Sequence, residues 1–204
     1  NTAFGHRAFR TNTTGNNNTA IGLGALRSST TPISNTAVGS GALFSSTDGS
    51  YNTAVGNEAL YQKTTGVQCT AVGTSSQKWS TGGDNTSLGM ESLRGAASGT
   101  PGTGGRNVAI GKGSMEDANG NAYRNVAVGW QSLRNISAGY QNTVIGNSAG
   151  DVITTGYGNI VIGAESDTSS ATVTYEYCIG IGVVGKGQDT FFAHGGNGAY
   201  NGAN

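Results

Sequence analysis

Residues 180–187 read GIGVVGKG. This matches the GxGxxG pattern and nearly matches a phosphate loop. Either reading needs a strand before it and a helix after it, so that helix N–H groups can meet the phosphates. No helical spacing follows, and Lys186 is trailed by Gly187 rather than Ser or Thr, so the pattern argues against a nucleotide. His6 and His194 lack partners at ligand spacing, which leaves no metal or acid–base centre to assign. The acids Glu58, Asp84, Glu91 and Glu165 are scattered over variable positions. A carboxylate pair for glycan hydrolysis would have to arise between distant segments. No catalytic, cofactor or metal residue is assigned, and the reading is that of a non-enzyme.

These residues must be positioned by a repeat. NTAFG, NTAIG, NTAVG and NTAVG begin at Asn1, Asn18, Asn35 and Asn52, and further copies can be anchored at Cys69, Asn85, Asn107, Asn125, Asn142, Asn159 and Cys178. Column five is Gly throughout: Gly5, Gly22, Gly39, Gly56, Gly73, Gly89, Gly111, Gly129, Gly146, Gly163 and Gly182. A constant Gly implies positive φ or a backbone too close for a Cβ. Column four is always large and apolar, from Phe4 to Ile181, and column two is Thr, Val or Ile. Because strand side chains alternate, columns two and four share one face. We expect that face to point inward, with the mostly Ala third column outward against other copies of the chain. A second short strand is expected around Leu26, Leu43 and Leu60, followed by polar turns such as TTG and TDG.

One such unit cannot bury its own apolar face, whereas stacked units can. The expected fold is all-β: a parallel β-solenoid of about eleven 17-residue rungs, regular over 1–163, with an irregular last rung, cap and tail over 164–204. At ~4.8 Å per rung the rod is roughly 50 Å long. Its core is thin, so assembly as an elongated homotrimer would supply the missing burial. Cys69 and Cys178, read as sharing column one, would lie roughly 29 Å apart at that rung spacing, too far for a disulfide. GAASGTPGTGG (95–105) lengthens one interval, and TVTYEYCIGIG reads as a longer alternating strand.

Eleven basic residues balance eleven acidic ones, which gives no electrostatic case for nucleic acid. No apolar run is long enough for membrane insertion. The Thr column raises an ice-binding solenoid as an alternative, opposed by the expectation that it faces inward. Column ten (Arg10, Arg27, Phe44, Tyr61, Lys78, Arg94 and Arg134) and the aromatics Trp79, Tyr123, Trp130 and Tyr140 are the candidate surface. Within it, Trp79, Tyr123, Trp130, Tyr140, Tyr61 and Arg94 are the candidate glycan or receptor contacts.

The NTAVGxxAL repeat with turns like TTGNNNTAIG resembles the repeat arrays of bacteriophage tail fibres and tail spikes. It is also similar to the NSxAIG-type head repeats of trimeric autotransporter adhesins. The ending QDTFFAHGGNGAYNGAN looks like the stretch that precedes an endosialidase-type intramolecular chaperone. The resemblance implies a virion fibre segment that contributes to attachment to a host-surface polysaccharide or protein receptor. It leaves as alternatives a bacterial cell-surface adhesin head and a polysaccharide-degrading solenoid enzyme. It also implies a chain cut from a longer protein.

Overall fold

The computed structural model describes all residues except 64–65, 96–101, 196–197 and 202–204; the side chains of 194–195 and 198–201 also lie outside it. Most of the sixth-interval loop therefore lies outside the described residues. The strands are β1 Thr2–Phe4, β2 Thr19–Ile21, β3 Thr36–Val38, β4 Thr53–Val55, β5 Thr70–Val72, β6 Thr86–Leu88, β7 Val108–Ile110, β8 Val126–Val128, β9 Thr143–Ile145, β10 Ile160–Ile162, β11 Tyr177–Ile179, β12 Phe191–Gly195 and β13 Gly198–Asn201. Each of β1 to β11 pairs in parallel with the next, and β13 turns back antiparallel on β12. The chain is a β-solenoid of about eleven rungs, as the repeat predicts. The described residues form no helix, so none is long and apolar enough to cross a membrane.

The glycine corner has the expected cause. Gly22 has φ +126°, and a Cβ built there would lie 2.6 Å from the Gly39 carbonyl oxygen of the next rung. Both the conformation and the space exclude any other residue.

The two faces of the strand are the reverse of the sequence expectation. Column three is the inside: Ala20, Ala37, Ala54, Ala71, Ala109, Ala127, Val144, Val161 and Cys178 are all fully buried. Columns two and four look outward, with Phe4 76% and Leu88 50% exposed. The reason is volume. Across the coil, Leu26, Leu43, Leu60, Met115 and Leu133 of column nine are fully buried, and a short coil has room for Ala opposite Leu but not for Val or Ile. Where column nine shrinks to Gly150, column three grows to Val144, and a Cβ on Gly150 would sit 2.9 Å from a Val144 methyl. The core conserves volume, as close packing demands.

Column nine is not a second strand. It lies in a tight turn, with Leu26, Leu43, Leu60 and Leu133 at φ near +50°. That left-handed backbone costs about 1–2 kcal/mol for a side chain with a Cβ. Burying a Leu side chain, at about 1.5–3 kcal/mol, offsets it.

The eleventh rung is also shifted from its expected register. β11 pairs Ile160 with Tyr177 and Val161 with Cys178, so the corner glycine is Gly180 (φ +139°), not Gly182. Glu176 takes column one, Cys178 takes column three, and the spacing stays at 17 residues. TVTYEYCIGIG is thus one three-residue strand flanked by turn, with an isolated bridge at Thr174. The GIGVVGKG stretch that follows is rung turn without a helix.

Adjacent residues test the inversion. Ala54→Leu is expected to cost about 1–3 kcal/mol by overpacking, and Val55→Leu on the outward face clearly less. Chemical denaturation of the two variants reads the difference, and the opposite ranking would put the Val face inside.

Candidate functional site

Column one is an interior Asn ladder. Asn18 Oδ1 accepts from the Asn35 backbone N–H at 2.9 Å and from its Nδ2 at 3.2 Å. Asn35 Nδ2 also donates to the Gly49 carbonyl at 2.8 Å. The same bonds recur from Asn107 through Asn125, Asn142 and Asn159. The ladder closes on Glu176, whose N–H donates to Asn159 Oδ1 at 2.9 Å and whose carboxylate accepts from Ser169 and Gly187 amides at 2.7 and 2.5 Å. In the sequence these Asn residues mark only the start of each repeat, and their recurrence is the one signal of the ladder.

Outside the core lie two aromatic ladders. Tyr123, Tyr140 and Tyr157 stack nearly parallel with centroids 4.9 and 4.5 Å apart, and Tyr175 meets Tyr157 edge-on at 5.3 Å. Burial among these rings, and then the neighbouring phenols, raise the Tyr140 pKa above its ordinary value. Near the other end, Phe44 and Tyr61 stack at 4.9 Å, and Trp79 meets Tyr61 edge-on at 6.4 Å. Arg27 lies 5.0 Å over Phe44, and Lys78 lies 4.9 Å over Trp79. The expected contacts therefore fall into separate groups. Tyr61 and Trp79 share one ladder, and Tyr123 and Tyr140 share the other. Arg94 is held by Glu91, Glu116 and Asp117 at 3.3, 3.0 and 3.6 Å. Both faces of Tyr140 are covered by neighbouring rings, so a sugar could reach only its edge and hydroxyl. Trp130, 46% exposed, stands apart from both ladders. The 17-residue recurrence of Tyr123 and Tyr140 continues to Tyr157, and that spacing is the sequence signal for the ladder.

A groove of about 290 Å³ opens beside the first ladder, lined by Arg7, Leu23, Arg27, Phe44, Glu58 and Tyr61 with Ser40, Asn57, Gly24 and Gly41. Its floor exists because column seven is Gly in two consecutive rungs. A Cβ on Gly24 would meet Phe44 at 3.3 Å, and one on Gly41 would meet Tyr61 at 3.3 Å.

The ionisable groups inside the solenoid do structural work. The Asp167 carboxylate accepts from the Val152 and Thr168 amides at 3.1 and 2.9 Å. Burial, then its hydrogen bond with Asp151, push its pKa up to about 7. Burial, then Glu176 and Asp167, push the Cys178 thiol up to about 12. Among the described residues no group of three or more His, Cys, Asp or Glu could hold a metal; His6 is exposed, and the side chain of His194 lies outside the described residues.

Lys63 was not singled out in the sequence. It occupies column twelve between the buried Ser46 and Ser80 and is itself wholly buried. Its ammonium donates to the Gly82 carbonyl, which also accepts from Cys69 Sγ at 3.4 Å. Desolvation lowers its pKa, against the opposing pull of Cys69 and Asp84.

Lys63→Met should therefore stabilise the protein at pH 7 by about 1 kcal/mol or more. As pH rises from the lowered folded pKa towards 10.5, the unfolded chain holds a proton that the fold has shed, so wild-type stability rises and the advantage of the variant shrinks. Denaturation at pH 7 and pH 10 measures both. No family model matches the chain, and neither the curated proteins nor the solved structures contain a significant match to it.

Proposed function

We propose that this chain is a structural and adhesive fibre segment that associates side by side with copies of itself, as a homotrimer, in a phage tail fibre. The observation that carries the reading is the outward face of the sheet. Columns two and four contain no charged residue in any of the eleven rungs. Phe4, Ile21, Leu88, Ile145 and Ile179 are exposed along this face, and Met90, Trp130 and Ile181 extend it past the glycine corner. An uncharged face with an apolar column repeated in every rung is the kind of surface that marks an association site. The stripe keeps one register because every strand pair repeats the same column alignment. Rods that meet along their stripes bury the surface that a thin core leaves over. The variable turns then remain on the outside to touch a host-surface receptor. The placement in a virion rests on the repeat resemblance, and a bacterial cell-surface adhesin would use the same rod.

A second reading is favoured by the same face. Thr2, Thr19, Thr36, Thr53, Thr70 and Thr86 point outward in line at rung spacing, beside a rank of Phe, Ile, Val and Leu. The inward orientation that opposed ice binding does not hold, and such a ladder could order water. The two readings demand opposite states of the stripe, covered or bare.

Sedimentation separates them. The wild-type chain is expected to sediment as a trimer, and Val38→Lys with Val55→Lys should yield a folded monomer, because buried unpaired charge on the stripe opposes association. A wild-type monomer of 20.5 kDa showing thermal hysteresis would replace the fibre reading with the ice-binding one.

A further inference from the structure

The charges are segregated along the rod. Residues 1–47 contain Arg7, Arg10 and Arg27 and no Asp or Glu, while residues 135–204 contain Asp151, Glu165, Asp167, Glu176 and Asp189 against Lys186 alone. In the middle of the rod the cations are mostly answered: Lys78 pairs with Glu58 at 2.7 Å, Arg106 with Asp84 at 3.5 Å, and Arg94 and Arg134 with the Glu116–Asp117 pair. Among the described residues Arg7 and Arg27 have no carboxylate partner, and both line the groove over Gly24 and Gly41. Glu58 also lines it, but its charge is met by Lys78.

We propose that this groove binds an anionic sugar residue, the acidic unit of a host-surface polysaccharide. The assignment rests on the attachment reading above and names its ligand class. Two guanidinium groups present forked donors matched to a carboxylate or a phosphate ester. Ser40, Asn57 and the Tyr61 hydroxyl supply partners for sugar hydroxyls, and Leu23 with the edges of Phe44 and Tyr61 supplies an apolar wall. The volume, about 290 Å³, lies at the small end of ligand sites and suits one sugar unit rather than a long chain. The missing column-seven side chains make the room. Arg27 is pre-ordered by its seat on Phe44 at 5.0 Å, which lowers the entropy lost on binding.

Calorimetric titration of the assembled protein with three probes tests this: an oligogalacturonate, a phosphorylated oligomannoside and neutral oligogalactose. One or both acidic probes should bind, more weakly as salt is raised, while the neutral probe should not; which acidic probe binds identifies carboxylate or phosphate as the anion. Arg7→Gln with Arg27→Gln should weaken that binding by about tenfold or more without changing sedimentation or melting. Gly41→Asn, which keeps the left-handed backbone but fills the floor, should weaken it similarly. The proposal is overturned if neither acidic probe binds at millimolar concentration, if the neutral probe binds equally, or if the double Arg variant retains full affinity. Sedimentation of the same samples as a trimer would show the fibre reading standing while the groove assignment falls.

Discussion

The rest of this fold depends on a buried Asn side chain that recurs at the same place in most of its rungs. A parallel strand of three residues has few ladder bonds, and nothing in it holds the following turn at a fixed distance. The Asn amide supplies both restraints. Its oxygen caps the N–H of the next Asn, and its nitrogen ties the carbonyl of the turn that closes its own rung. Each bond is buried, where an unmade partner would cost more than in water. At Cys69 the side-chain oxygen is lost, and near that rung the interior is also most polar. Ser76, Ser87, Ser92 and Gln77 hydrogen-bond among themselves there, between two separate apolar clusters. Lys63 lies in the same region, so the middle of the rod is its least oil-like part.

With that ladder inside, the strand has only one place for its larger side chains. Ala goes inward with Asn, and Thr, Val and Ile go outward. The apolar residues that sequence alone would assign to the core instead form a surface. A surface of that kind makes the single chain an incomplete object, which is why its function is argued from what covers the stripe. The aromatic residues follow a similar logic. At rung spacing, identical columns place rings near their stacking distance, so Tyr123, Tyr140 and Tyr157 satisfy one another along the axis and present edges outward. Recognition is left to places where the columns fail to repeat, such as the two-rung glycine gap beside Arg7 and Arg27.

Much of the architecture was legible before any coordinates. The interval of 17 residues and the invariant corner glycine announce a parallel solenoid, because only stacked rungs make the same backbone demand at the same place each time. The end of the array was misread for an equally physical reason. Cys178, Ile179, Gly180, Ile181 and Gly182 offer two glycines two residues apart, and either could serve as the corner. The strand pairing to Ile160 and Val161 selects Gly180, and Gly182 then falls on the left-handed position of the next turn. The groove was out of reach because it is made by absent side chains in column seven and by an aromatic ladder three columns further on.

Sequence by itself determined the rung, its period, its glycine corner and the absence of charge from two columns. These are local demands of backbone geometry and strand alternation, repeated until chance is no explanation. Only the tertiary structure decided which side of the strand is inside. Alternation distinguishes two faces without saying which is buried, and the answer depends on the volume enclosed by the coil. Leu of column nine fills most of that volume, Asn bonding fills part of the rest, and what remains fits Ala.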